Sequence, residues 1–303
     1  MMQVWKTIAI GRHLVDVPDT ATVIPQWRHN EVQIELADEI RTNAEYDKMV
    51  DDRERVLRAS KHNKHGTLFV QRVQHANRGV TLVSWREPFS KYVYLFDTFY
   101  RAGGQTVIYS GEVTVDLRDS AIAVCDELSQ SWREIVPGTI PERPGFVVRN
   151  TILENTAFNH ESWTLAIRLA GKPDVALRIA TYARSVDRPG LRERSGGLLA
   201  SLLGSIAGMH QLRNQARDVG PIVGHEILVA GTEAGKRHYA FKWESPGKAY
   251  ELADPHINVS MNVTESDYTT NEASFADDAE ALEIWDRLVD SIRLRPGAVG
   301  PQE

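Results

Sequence analysis

The sequence predicts an α+β protein of two domains, residues 1–140 and 141–303, each an antiparallel meander sheet packed with helices. Three observations carry this reading. Short runs rich in Val, Ile, Tyr, Phe and Trp recur along the chain, bounded by Gly, Pro or Asp. Between them lie longer segments whose apolar residues fall at helical spacing. The segment Val136–Gly145 (VPGTIPERPG) holds three prolines in ten residues and reads as the boundary. At 303 residues, each half can bury its own core.

Taken in order, Trp5–Val17 reads as a strand interrupted at Gly11 and ended by Pro18. Glu31–Leu36 is a second strand, leading into a helix over about Asp38–Ser60 with Tyr46, Met49, Val50, Arg53, Val56 and Leu57 on one face. Four strands follow: Thr67–Gln74, Val80–Trp85, Tyr92–Tyr100 and Thr106–Val115, with Arg101–Gly104 as the last hairpin turn. Ala121, Val124, Leu128, Trp132 and Ile135 then trace a helical stripe stopped by Pro137-Gly138. Beyond the boundary come strands Phe146–Leu153, Ser162–Leu169 and Asp174–Tyr182, and a helix over Gly190–Leu203.

A meander of Val219–Ala230, Arg237–Trp243 and His256–Val263 follows. Tyr239, Phe241 and Trp243 share one face of its middle strand, and such a face needs a cover. The C-terminal helix supplies it, starting at Ser274 with Asp277 three residues on and burying Leu282, Trp285, Leu288 and Ile292. Similar phrases stand in the two halves, SWREPFSKYVYL at Ser84–Leu95 and KWESPGKAYEL at Lys242–Leu252. They suggest one duplicated plan, with chance likeness of strand–turn–strand text as the competing explanation.

The composition is globular, 42% apolar and 25% charged, with a net charge of −6 spread without basic tracts. This argues against nucleic acid as the main partner. Cys125 is the single cysteine, so an internal disulfide and a cysteine zinc site are excluded. The start of the chain shows no basic region followed by a long apolar core, and no stretch is long enough to span a bilayer. The most apolar window, Gly196–Gly208, is 13 residues, which suits a buried helix or a partner's groove.

No catalytic constellation emerges. GTEAGK at Gly231–Lys236 is one residue short of a phosphate loop and has Arg237 where Ser or Thr is needed, so a hairpin turn is expected. A G-x-S-x-G elbow is absent. His160-Glu161 and His225-Glu226 each lack the second histidine of a zinc-binding helix. His62 and His65 flank a turn and read as a solvated loop. Glu244, Glu251 and Asp254 have nothing that fixes them as an acid–base set. Asn258 and Asn262 open sequons, but inside a predicted strand. Neither a cofactor nor a metal is called for.

In their order and spacing, GHE, FKWESPG, DPHINVSM and LEIWDRLVDSIRLRPG resemble the C-terminal domain of immunity proteins that neutralise type VI secretion lipase effectors, in the fourth lipase–immunity class. GRHLVDVP and YDKMVDDRERVL resemble the N-terminal domain of the same family. The quoted residues read chiefly as makers of the fold: Gly11, Trp243, Pro246, Gly247 and Trp285.

The resemblance implies a non-enzymatic inhibitor that clamps an α/β-hydrolase phospholipase, holding its lid closed or blocking its cleft. It also implies a periplasmic place of action, with the cytoplasm as the alternative. The turns Arg86–Lys91 and Ser245–Tyr250 are matched tips of the two halves, so Arg86, Lys91, Pro246, Lys248 and Tyr250 are the expected partner-binding residues. The competing class is a small-molecule or lipid-binding module with a pocket between meander and helix; an intracellular hydrolase with a site outside known motifs ranks third.

Overall fold

The computed structural model describes residues 4–194, 208–265, 269–270 and 274–300. Most of the helix expected over Gly190–Leu203, and nearly all of the apolar run Gly196–Gly208, lies outside the described residues. Packing divides the chain into Trp27–Thr156 and a second unit made of Met1–Gln26 with Ala157–Glu303. Each contains a four-stranded meander followed by a helix.

In Trp27–Thr156 the meander runs Phe69–Gln74, Val80–Trp85, Val93–Ala102 and Gln105–Thr114, each strand antiparallel to the next. Val32–Leu36 pairs with the last of them. Thr22–His29 joins Val32–Leu36 through Asn30 and Glu31, both at positive φ (48° and 64°), as a two-residue hairpin turn requires. Sequence pattern missed Thr22–His29, because Pro25 demotes a run that otherwise alternates.

Val80–Trp85 is buried along its whole length, since a helix covers each face. Val80, Leu82 and Phe99 meet Tyr46, Val50 and Leu57 of helix Asn43–Ala59. Val83, Trp85, Tyr94 and Phe96 meet Cys125 of helix Arg118–Ser131. The first helix starts later than Asp38, where Thr42 and Glu45 form a reciprocal capping box. In the second helix Cys125 and Leu128 face inward and Val124 is exposed, one step from the expected stripe.

That second helix ends at Ser131, so Trp132 belongs to strand Trp132–Glu134. This strand and Phe146–Val148 flank Thr151–Leu153 in a small sheet. The Pro-rich segment 136–145 is therefore a loop within this unit, and the chain passes between units at Gln26/Trp27 and Thr156/Ala157.

The other unit carries the strands His210–Ala216, His225–Glu233, Lys236–Ser245, His256–Val263, Val175–Tyr182 and Ser162–Arg168 in that spatial order, all antiparallel. Trp5–Ile10 and His13–Pro18 form a hairpin rather than one broken strand, with Gly11 at φ +55° in its turn. Arg293–Leu294 pairs with His13 and Leu14.

Helix Asp278–Asp290 covers the aromatic face. Trp285 is fully buried, edge-on to Phe241 at 5.6 Å, and Tyr239 meets Phe241 at 5.4 Å. Its N-cap is Asp277, which accepts from the Glu280 amide, and not Ser274; the Ser274 hydroxyl donates to Asp174. Ile284 is fully inside, whereas Leu282 is half-buried.

Two buried ion clusters tie this unit together. The Arg12 guanidinium donates to both carboxylate oxygens of Glu161 (2.7 and 3.1 Å) and to the Ala298 carbonyl (2.6 Å). Glu226, with no exposure, accepts from Arg217 (2.8 Å), Gln215 (2.9 Å) and the Trp285 indole (3.2 Å). Asp286 bridges Arg213 and Arg217 beside it. Buried carboxylates satisfied in this way are fold-specifying and costly to strip of a partner.

Candidate functional site

Pro246, Lys248 and Tyr250 share one loop, between strands Lys236–Ser245 and His256–Val263. Arg86 and Lys91 lie on the turn between Val80–Trp85 and Val93–Ala102. The similar phrases of the two halves each join neighbouring antiparallel strands, the first between the second and third strands of its meander and the second between the third and fourth of its own.

The second loop is braced from within. Gly247 sits at φ +64°, and a Cβ there would stand 2.3 Å from the Pro255 carbonyl carbon, so only glycine fits. The Lys248 amide donates to the Asp254 carbonyl (2.8 Å), and its ammonium lies 3.1 Å from the Asp254 carboxylate. The Ala249 amide donates to the Asp187 carboxylate (2.8 Å) and the Tyr250 amide to the Arg184 carbonyl (2.7 Å). Tyr250 is itself left-handed, 65% exposed, with its ring edge-on to Phe158 at 5.0 Å. A rigid, exposed aromatic is a low-entropy anchor for a protein partner.

On the first turn, Arg86 reaches Glu112 at 3.1 Å. Sequence reasoning overlooked its strongest apolar features: Phe89 and Tyr92 are 66% and 74% exposed. The signal was present as two aromatics within an otherwise polar turn.

Behind the Lys248–Tyr250 loop, the sheet face opposite the C-terminal helix carries a basic groove. Strand alternation puts Phe241 and Trp243 under the helix and therefore Lys242 and Glu244 on this face. Arg178, Arg184, Arg188, Arg194 and Lys242 line a cavity of about 430 Å³ with Glu244 as the one lining carboxylate among the described residues, beside His256, Asn258 and Ser260. Glu244 is buried and pairs with Arg194 and, at 3.4 Å, with Lys242. Burial, then the charge of Arg184, holds the His256 imidazole down at about 4, against the opposing pull of Glu244. The sequence displays the strap behind this groove as four arginines, Arg184 and Arg188 in the connection after the expected strand Asp174–Tyr182, and Arg192 and Arg194 at the start of the helix expected over Gly190–Leu203.

The remaining candidates resolve structurally. Glu161 and Glu226 are the centres of the two buried ion clusters. Glu244 belongs to the groove, Asp254 to Lys248, and Glu251 is exposed, so the three carboxylates form no acid–base set. The turn of GTEAGK is a hairpin with Ala234 and Gly235 at positive φ. His62 is buried, correcting the solvated reading: its Nδ1 accepts from the Lys64 and His65 amides and its Nε2–H donates to the Ser90 carbonyl. His65 stacks on Trp85 at 4.8 Å. Among the described residues no cluster of His, Cys, Asp and Glu is arranged to hold a metal, and no helix is long and apolar enough to cross a membrane.

Two family models match the chain: the Tle cognate immunity protein 4 C-terminal domain over residues 139–297, and its N-terminal domain over residues 6–121. Among solved structures the chain resembles the apo immunity protein TplEi of the type VI secretion system from Pseudomonas aeruginosa, at 30% identity and a TM-score of 0.89, covering 96% of this chain and 97% of that one. It is equally similar to a chain of the Tle4–Tli4 complex, at 30% identity and TM-score 0.89, covering 96% and 98%. A TplEi structure complexed with an "L" peptide matches at 29% identity and TM-score 0.84 over 96% and 98%. No curated protein matches.

Proposed function

The chain belongs to the Tle cognate immunity protein 4 family, and from that membership we propose that it binds and neutralises a cognate type VI secretion lipase effector, without catalysing any reaction itself. The observation that carries this is coverage: both family domains match in order along one chain, and likeness to the immunity protein of an effector–immunity complex spans nearly all of it.

The two turns are the contact loops of this reading, Arg86 and Lys91 with Phe89 and Tyr92 on one, Pro246, Lys248 and Tyr250 on the other. Exposed aromatics and arginine are residue types enriched in protein interfaces, and Phe89, Tyr92 and Tyr250 are exposed here. Using both loops on one target raises affinity through effective concentration, the physical meaning of a clamp. A lipase must open its lid to admit lipid, so an inhibitor that prefers the closed form shifts that equilibrium by its differential affinity. The place of action is the periplasm, where a delivered lipase meets its substrate.

Titration of the full chain against the cognate effector tests this. Tyr250→Ala with Lys248→Glu, and separately Phe89→Ala with Arg86→Glu, should each speed dissociation at least tenfold. Full affinity in both variants would remove the loops from the interface. Failure of the unaltered chain to bind or inhibit the effector would sink the reading as a whole.

A further inference from the structure

We propose that the basic groove on the sheet face opposite the C-terminal helix is a binding site for a phosphate ester. Its cations are not neutralised from within. Glu244 already serves Arg194 and Lys242. Arg184 and Arg188 have no carboxylate within ion-pair distance among the described residues, though both line the same cavity. Arg184 is half-buried, and burial together with the charges of Arg188 and Arg194 lowers its pKa against the opposing pull of Glu244, so clustering carries a standing electrostatic cost. No further carboxylate among the described lining residues relieves it. A bound anion would.

Phosphate fits the donors better than a lone carboxylate. Two guanidinium forks offer bidentate pairing to a tetrahedral oxyanion, and Asn258 and Ser260 add a neutral amide and hydroxyl on the sheet floor. At about 430 Å³ the cavity falls in the size range of small-molecule sites and leaves room for an organic substituent beyond the phosphate. A soluble phosphate ester and a phospholipid headgroup share this chemistry. The site also communicates with the contact loop, because the strap's Arg184 carbonyl and Asp187 carboxylate hold the Tyr250 and Ala249 amides.

The test needs no effector. The full chain is titrated calorimetrically with glycerol 3-phosphate at low salt and sedimented with phosphatidylglycerol vesicles. We expect saturable binding in at least one arm, weakened at least tenfold by Arg184→Gln with Arg188→Gln and unchanged by Lys64→Gln, an exposed lysine that lines neither the groove nor the Lys248–Tyr250 loop. Binding of the ester alone assigns a soluble ligand; vesicle binding alone, lost in the same variant, assigns a headgroup. Neither arginine is in an ion pair, so the double variant should melt no lower than the parent; Arg178→Gln, on the sheet floor beside Ser260, is the second variant should it do so. Absence of saturable binding in both arms, or binding that survives the arginine substitutions, overturns the proposal.

Discussion

Two buried histidines make the fold sensitive to acid. Burial, reinforced by the neighbouring Arg12 and Arg295, takes His13 from 6.5 to about 4, and His256 is held equally low. Each is neutral in the folded state and takes up a proton more readily when unfolded. Stability is therefore fully present above pH 6.5 and declines as pH falls toward 4, with on the order of 3 kcal/mol at stake per histidine. Thermal unfolding followed from pH 8 to pH 4 should show a flat region and then a fall, and His256→Gln should flatten that slope. Glu226 is a second sensitive point. Glu226→Ala leaves Arg217 and the Trp285 indole without their shared acceptor, which should cost about 3–5 kcal/mol and appear as a lower urea midpoint. Neither role was legible in the text. A His-Glu pair in a strand looks the same whether its carboxylate is solvated or buried, and the arginines that answer Glu226 are brought there by the fold.

Elements were legible where period and punctuation agreed. His256–Val263 and Val80–Trp85 were read to the residue, since each is a short β-rich run between turn-formers. The capped ends were not: Thr42 and Asp277 shorten both helices because a side chain that satisfies free amides decides the start, whatever the apolar stripe does. Thr42→Ala should cost about 1 kcal/mol by chemical denaturation. Edge strand His210–Ala216 went unseen, being polar and exposed along most of its length. In the candidate site, the loop and its glycine were readable but the groove was not, because its cations come from separate strands and a strap. Gly247→Ala must accommodate both a left-handed backbone and a Cβ overlapping Pro255. It should destabilise by on the order of 3 kcal/mol and weaken effector binding along with the melting temperature.

At the scale of the molecule, the proposed inhibitor should show no esterase or phospholipase turnover of its own. A saturable rate abolished by one substitution would contradict that. Combining the altered loops in one chain should weaken effector binding far more than either pair alone, as expected of two linked contacts. The ion cluster of Arg12, Glu161 and Ala298 has a consequence in time. Trp27–Thr156 is contiguous and can complete its core as soon as it leaves the ribosome or a translocation pore. The other unit holds the hairpin turn at Arg12 against Ala298, so Glu161 can answer the Arg12 charge while the cluster still lacks the Ala298 carbonyl that completes it. The contiguous unit can thus close before the segments that flank it, and a chain halted before residue 298 would display a finished insert between two unclosed margins.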